Sequence, residues 1–146
     1  VRTHGGVAYY NDSIATSPER AIAALEAFDA PIVLLAGGRD KHLPWDRWAR
    51  LVAYKVRQLI LFGEAAPLIE EEAHKVWSAS PACERKPSLV RCQTMEEATQ
   101  LAARLASPGD IVLLAPGGTS FDAFRDYAER GNRFKEIVRQ LNGGEK

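Results

Sequence analysis

Val7-Ala8-Tyr9-Tyr10-Asn11-Asp12-Ser13-Ile14-Ala15-Thr16-Ser17-Pro18-Glu19 is the stretch whose reading decides the fold. The apolar run Val7–Tyr10 predicts a strand. It gives way to small polar residues and then to Thr16-x-x-Glu19 with Pro18 inside, a helix start. Capping needs only Thr16 or Ser17, which leaves Asn11-Asp12-Ser13 unexplained. Free N–H groups and short polar side chains thus gather where a strand hands over to a helix. Open α/β sheets place ligands at that edge, and a helix N-terminus there favours anions.

The same alternation continues along the chain. Strand-like runs are predicted at Val7–Asn11, Pro31–Ala36, Gln58–Gly63, Ser88–Cys92 and Asp110–Ala115. Ile32-Val33-Leu34-Leu35 and Ile111-Val112-Leu113-Leu114 are apolar without interruption, as in parallel strands covered on both faces. Helices are predicted at Pro18–Phe28, Trp45–Lys55, Ala66–Trp77, Met95–Ala106 and Phe121–Leu141. Thr94-x-x-Glu97 supplies a second capping box, and Ala98, Leu101, Ala102 and Leu105 an apolar stripe. Val1-Arg2-Thr3, turning through His4-Gly5-Gly6 into Val7–Tyr10, reads as a β-hairpin. The expected class is α/β: a Rossmann-like, doubly wound, mostly parallel sheet with an N-terminal β-hairpin and helices on both faces.

At 146 residues the chain forms one domain, 1–146, with room for a substantial core. Nineteen basic and nineteen acidic residues cancel without long runs of either sign. That argues against a nucleic-acid or anionic-membrane partner. Cys83 and Cys92 lack zinc-ligand spacing and fit free thiols of a reducing, cytoplasmic setting. No metal site is expected. No apolar stretch approaches the roughly 20 residues of a membrane span, and no signal-peptide pattern is read. A chain opening inside a hairpin, without an initiator Met, reads as a domain of a longer protein.

Parallel topology sends every strand–helix turn to the carboxyl edge of the sheet. Asp12–Thr16, Gly37–Lys41 and Ala115–Ser120 should therefore line one rim. Gly37-Gly38-Arg39-Asp40-Lys41 offers a sharp turn and a mobile cation, and it is not a P-loop, which needs G-x-x-x-x-G-K-[ST]. An ordinary turn with an exposed lysine fits the residues as well. Thr119 or Ser120 could cap the last helix or present a hydroxyl to a carboxylate. His4 reads as an exposed turn histidine that could also approach a nucleobase. His42 and His74 have no ligand spacing. Trp45, Trp48 and Trp77 read as packing residues, and Phe121, Phe124 and Phe134 as core.

Three ordered motifs carry a resemblance. They are Asn11-Asp12-Ser13-Ile14-Ala15-Thr16, Leu34-Leu35-Ala36-Gly37-Gly38-Arg39-Asp40-Lys41, and the run from Val112 through Ser120 to Arg130-Gly131-Asn132-Arg133-Phe134. Together they resemble the C-terminal domain of the Mur ligases of peptidoglycan synthesis, nearest the branch that adds D-glutamate to UDP-N-acetylmuramoyl-L-alanine. The likeness runs from about His4 to Leu141. It implies one domain of a three-domain ATP-dependent ligase that works through an acyl phosphate. The P-loop, the magnesium ligands and the UDP-sugar site would lie in the two preceding domains. By resemblance Thr16, Lys41, Ser120 and the backbone N–H of Tyr127 would bind D-glutamate. Asp12, flanked by Asn11, would lie near the ATP ribose. Catalytic residues, ATP and Mg2+ would reside chiefly outside this domain. Two departures stand out: Ile14 where the family commonly has lysine, and Gly117-Gly118-Thr119 where it has Ala-Cys-Ala, a more flexible and more polar string. Two rivals stay open. One is another Mur or folylpolyglutamate-type ligase domain, and the other a noncatalytic Rossmann-like binding module.

Overall fold

The computed structural model describes residues 2–40, 44–79, 87–120 and 123–144. Lys41, His42, most of the Pro81–Pro87 loop with Cys83, and Phe121 lie outside the described residues, as does the side chain of His4.

The hairpin forms as expected. Strands β1 (Arg2–His4) and β2 (Val7–Asn11) pair antiparallel with His4 opposite Val7. Gly5 and Gly6 take φ of 62° and 80°, the positive values of a two-residue hairpin turn. His4 thus closes β1 and is not part of the turn itself. The chain then alternates through α1 (Pro18–Glu26), β3 (Ile32–Gly37), α2 (Asp46–Lys55) and β4 (Val56–Phe62). It continues through α3 (Ala66–Ala79), β5 (Ser88–Arg91), α4 (Met95–Leu105), β6 (Ile111–Gly117) and α5 (Tyr127–Gly144).

The strands lie in the order β1-β2-β6-β3-β4-β5, and every pairing after the hairpin is parallel. From β2 the chain steps outward to β5, then returns to insert β6 between β2 and β3. A right-handed crossover places its helix on one face when stepping outward and on the other when stepping back. Accordingly α1, α2 and α3 cover one face, meeting Ile32, Leu34, Leu59, Leu61, Leu113 and Ala115. Helices α4 and α5 cover the other, meeting Val33, Leu35, Ile60, Phe62, Val112 and Leu114. Alternate residues of β3, β4 and β6 serve opposite cores, which is why these strands read as unbroken apolar runs. The tryptophans are packing residues: Trp45, Trp48 and Trp77 are buried, and Trp77 Nε1 donates to the Ala49 carbonyl (2.9 Å).

Two helix starts differ from the sequence reading. Helix α1 is capped by Ser17, whose hydroxyl accepts from Arg20 N–H (3.3 Å), so Thr16 is not the cap. Helix α5 begins at Tyr127 and not at Phe121. The Ser120 carbonyl accepts from the N–H groups of Ala123 and Phe124 in a turn. Asp126 then caps Glu129 N–H (2.9 Å) while the Glu129 carboxylate takes Arg125 N–H (2.7 Å). That reciprocal pair outcompetes a lone hydroxyl, and Asp126-x-x-Glu129 was visible in the sequence.

Candidate functional site

Strand β6 sits between β2 and β3, yet its connection runs to α5 on one face while theirs run to α1 and α2 on the other. This is the switch point at which doubly wound sheets open a crevice. The three loops expected to share a rim are neighbours there, sewn together by backbone bonds. Asp12 N–H donates to the Leu114 carbonyl and Gly117 N–H to the Ala15 carbonyl, both at 2.8 Å. Arg39 and Thr119 exchange two bonds of 2.9 Å. The Gly117-Gly118 string is consequently packed and not loose: a Cβ on Gly118 would lie 2.8 Å from the Gly37 carbonyl oxygen.

A guanidinium sits behind this seam. Arg130 is completely buried; its Nε donates to Ser13 Oγ (2.9 Å), and its Nη2 donates to the carbonyls of Ser13 (2.9 Å) and Gly118 (3.1 Å). Ser13 Oγ in turn donates to the Tyr127 carbonyl (2.8 Å). Asn11 Oδ1 accepts from Ser13 N–H (3.1 Å), and the Asn11 side chain lies against Gly131, where a Cβ would come 2.8 Å from Nδ2. Asn11 and Ser13 therefore serve the framework of the loop. Sequence reasoning quoted Arg130 without giving it a role. The signal was present: positions 130, 134, 137 and 138 fall on one helical stripe, and Phe134, Ile137 and Val138 are core. A charged residue on a core stripe is worth explaining.

Of the other rim residues, Thr16 is half-buried and Ser120 buried. Because Ser17 is the cap, the Thr16 hydroxyl has no hydrogen-bond partner among the described residues, and neither has the hydroxyl of Ser120. Tyr127 N–H is the first of α5 and has no partner within the helix. The Asp40 carboxylate accepts from Trp45 Nε1 (2.9 Å), tying the end of the Gly37–Asp40 segment to the start of α2. Ile14 is exposed beside Ser13, an apolar side chain on a polar rim. The structure does not bring His4 to this rim. The hairpin turn precedes β2, and Gly6 bonds to Gly109 at the amino edge. Five strand residues of about 3.3 Å each separate that end from Asn11.

Burial pushes the Asp12 carboxyl above its ordinary value, with Arg20 partly offsetting it. A raised folded-state value means ionised Asp12 weighs against folding at neutral pH, and that this effect is absent below the unfolded value of 3.8. Asp12→Asn is expected to raise the thermal midpoint near pH 7 and to leave it unchanged near pH 3. Midpoints that shift equally at both pH values would contradict this account.

Among the described residues no group of three or more His, Cys, Asp and Glu comes together as a metal site. Nor is any described helix long and apolar enough to cross a membrane.

These elements define a doubly wound α/β domain with three polar loops gathered at its switch point. Residues 1–118 match the family described as Mur ligase, glutamate ligase domain. The chain belongs to that family. It is 50% identical over 142 residues to the UDP-N-acetylmuramoylalanine–D-glutamate ligase of Symbiobacterium thermophilum, and 45% identical over 141 residues to that of Acetivibrio thermocellus. Each alignment takes in 97% of this chain and 30% of the relative. The ligase of the same name from Geotalea daltonii is 43% identical over 145 residues, 99% of this chain and 30% of the relative. The chain thus spans about 30% of the length of the relatives it matches.

Proposed function

We propose that this chain is the C-terminal, amino-acid-binding domain of a three-domain, ATP-dependent ligase that joins D-glutamate to UDP-N-acetylmuramoyl-L-alanine in peptidoglycan synthesis. One observation carries the reading: the loops after β2, β3 and β6 are neighbours at the switch point, with the hydroxyls of Thr16 and Ser120 uncommitted. The names of the relatives support the substrate.

In the complete enzyme ATP would phosphorylate the carboxyl of the UDP-linked substrate, and the D-glutamate amine would then displace phosphate to form the amide. This domain's part is to bind and orient. Thr16 and Lys41 would hold one carboxylate of D-glutamate, and Ser120 with Tyr127 N–H the other, aiming the amine at the acyl phosphate. Asp12 would face the ATP ribose across the closed interface, as lid domains do. Phosphate release by the full-length protein that requires both D-glutamate and the UDP-linked substrate would support this reading. Release indifferent to D-glutamate would overturn it.

The 146-residue chain alone is expected to make no amide bond and hydrolyse no ATP, since it encodes no P-loop. With Ile14 in place of a cation, calorimetry should find ATP binding no tighter than about millimolar, roughly −4 kcal/mol. A micromolar constant would favour a stand-alone nucleotide-binding module instead.

A further inference from the structure

We propose that Arg130 is a positioning residue that fixes the separation of the Thr16 loop from the Ser120 turn, and with it the length of dicarboxylate the rim accepts. The inference rests on the amino-acid site proposed above. Ser13, three residues before Thr16, accepts from Arg130 through its hydroxyl and its carbonyl, and Gly118, two residues before Ser120, accepts through its carbonyl. One planar guanidinium therefore joins the two loops whose hydroxyls would grip opposite ends of D-glutamate. The third loop closes on the same group: a Cβ on Gly38 would stand 2.9 Å from Arg130 Nη1.

Burying a cation is costly, and an apolar side chain would fill the space beneath β6 without that cost. What an apolar residue lacks is a rigid fork of donors with fixed spacing, and lysine, with a single ammonium, lacks it too. Arg130 rides on α5, whose Phe134, Ile137 and Val138 are locked in the core, so the fork is referenced to the sheet itself. Reacting groups misplaced by about 1 Å can lose about 100-fold in rate, so a spacer of this kind bears directly on substrate orientation.

The test uses the full-length ligase with Ser13→Ala, Arg130→Lys and Arg130→Met. Ser13→Ala removes the Nε acceptor, and with it the bond from Ser13 Oγ to the Tyr127 carbonyl, while leaving both carbonyl acceptors, so it keeps the test alive if the arginine variants fail to fold. The expected result for Ser13→Ala is a D-glutamate KM raised about 5- to 20-fold, on about 1.4 kcal/mol per decade. The KM values for ATP and the UDP-linked substrate should stay within about twofold. The preference for D-glutamate over D-aspartate, one carbon shorter, should fall by a similar factor. Arg130→Lys should not restore it, because charge without the fork does not set a distance. An unchanged preference in a folded variant, full rescue by lysine, or a common rise in all three KM values would overturn the proposal. Wild-type enzyme that does not use D-glutamate would fail the underlying reading itself, and that control separates the two.

Discussion

Gly38→Ala is expected to lower the thermal midpoint of the domain by roughly 5–20 °C. Gly38 adopts a φ of 101°, and a Cβ there would stand 2.3 Å from the Thr119 carbonyl oxygen. Backbone strain of that kind costs about 1–3 kcal/mol, and forcing a methyl group into a packed seam about 1–3 more. The sum, roughly 2–6 kcal/mol, translates at a few degrees per kcal/mol for a chain of this size. The strain cannot be relieved locally, because the obstacle is backbone already paired with Arg39. A thermal melt that moved by less than about 2 °C would mean the loops after β3 and β6 are not pressed together.

Lys41→Ala should have the largest effect on function, raising the D-glutamate KM of the complete enzyme by roughly 10- to 100-fold. Each charge-assisted hydrogen bond to a carboxylate is worth about 1.5–3 kcal/mol, and about 1.4 kcal/mol corresponds to one decade. Lys41 itself lies outside the described residues, but the segment before it is held at two points. Gly38 N–H donates to the Phe62 carbonyl, and Asp40 is tied to Trp45. Steady-state kinetics with D-glutamate as the varied substrate checks this, and an unchanged KM would remove Lys41 from the site.

Much of the fold was legible because its signals are local and repeated. Ile32–Leu35 and Ile111–Leu114 read as parallel strands covered on both faces, and Thr94-x-x-Glu97 and Gly5-Gly6 each have one economical structure. The rim was legible too, since parallel strands deliver their turns to one edge wherever they sit in the order. What stayed hidden depended on contacts distant in sequence. Nothing near Asn11 or Ser13 says that their side chains serve Gly131 and Arg130, more than a hundred residues away. The glycines at 117 and 118 read as flexible because what they press against, Trp45 for Gly117 and the Gly37 and Arg39 backbone for Gly118, is also distant in sequence. The start of α5 was misplaced for another reason. Asp126-x-x-Glu129 competed with Thr119 and Ser120 within one stretch, and the reciprocal cap prevailed. His4 read as a turn residue able to approach a nucleobase, whereas the hairpin pairs it with Val7 at the amino edge.

The most direct test of the amino-acid site is the set of three KM values in full-length Thr16→Ala and Ser120→Ala enzymes. Binding of D-glutamate on this rim predicts that only the D-glutamate KM rises, by several-fold for each variant. The values for the UDP-linked substrate should barely move, because that substrate would bind in another domain. If all three rose together, Thr16 and Ser120 would be supporting fold or closure, and the amino-acid site would lie elsewhere.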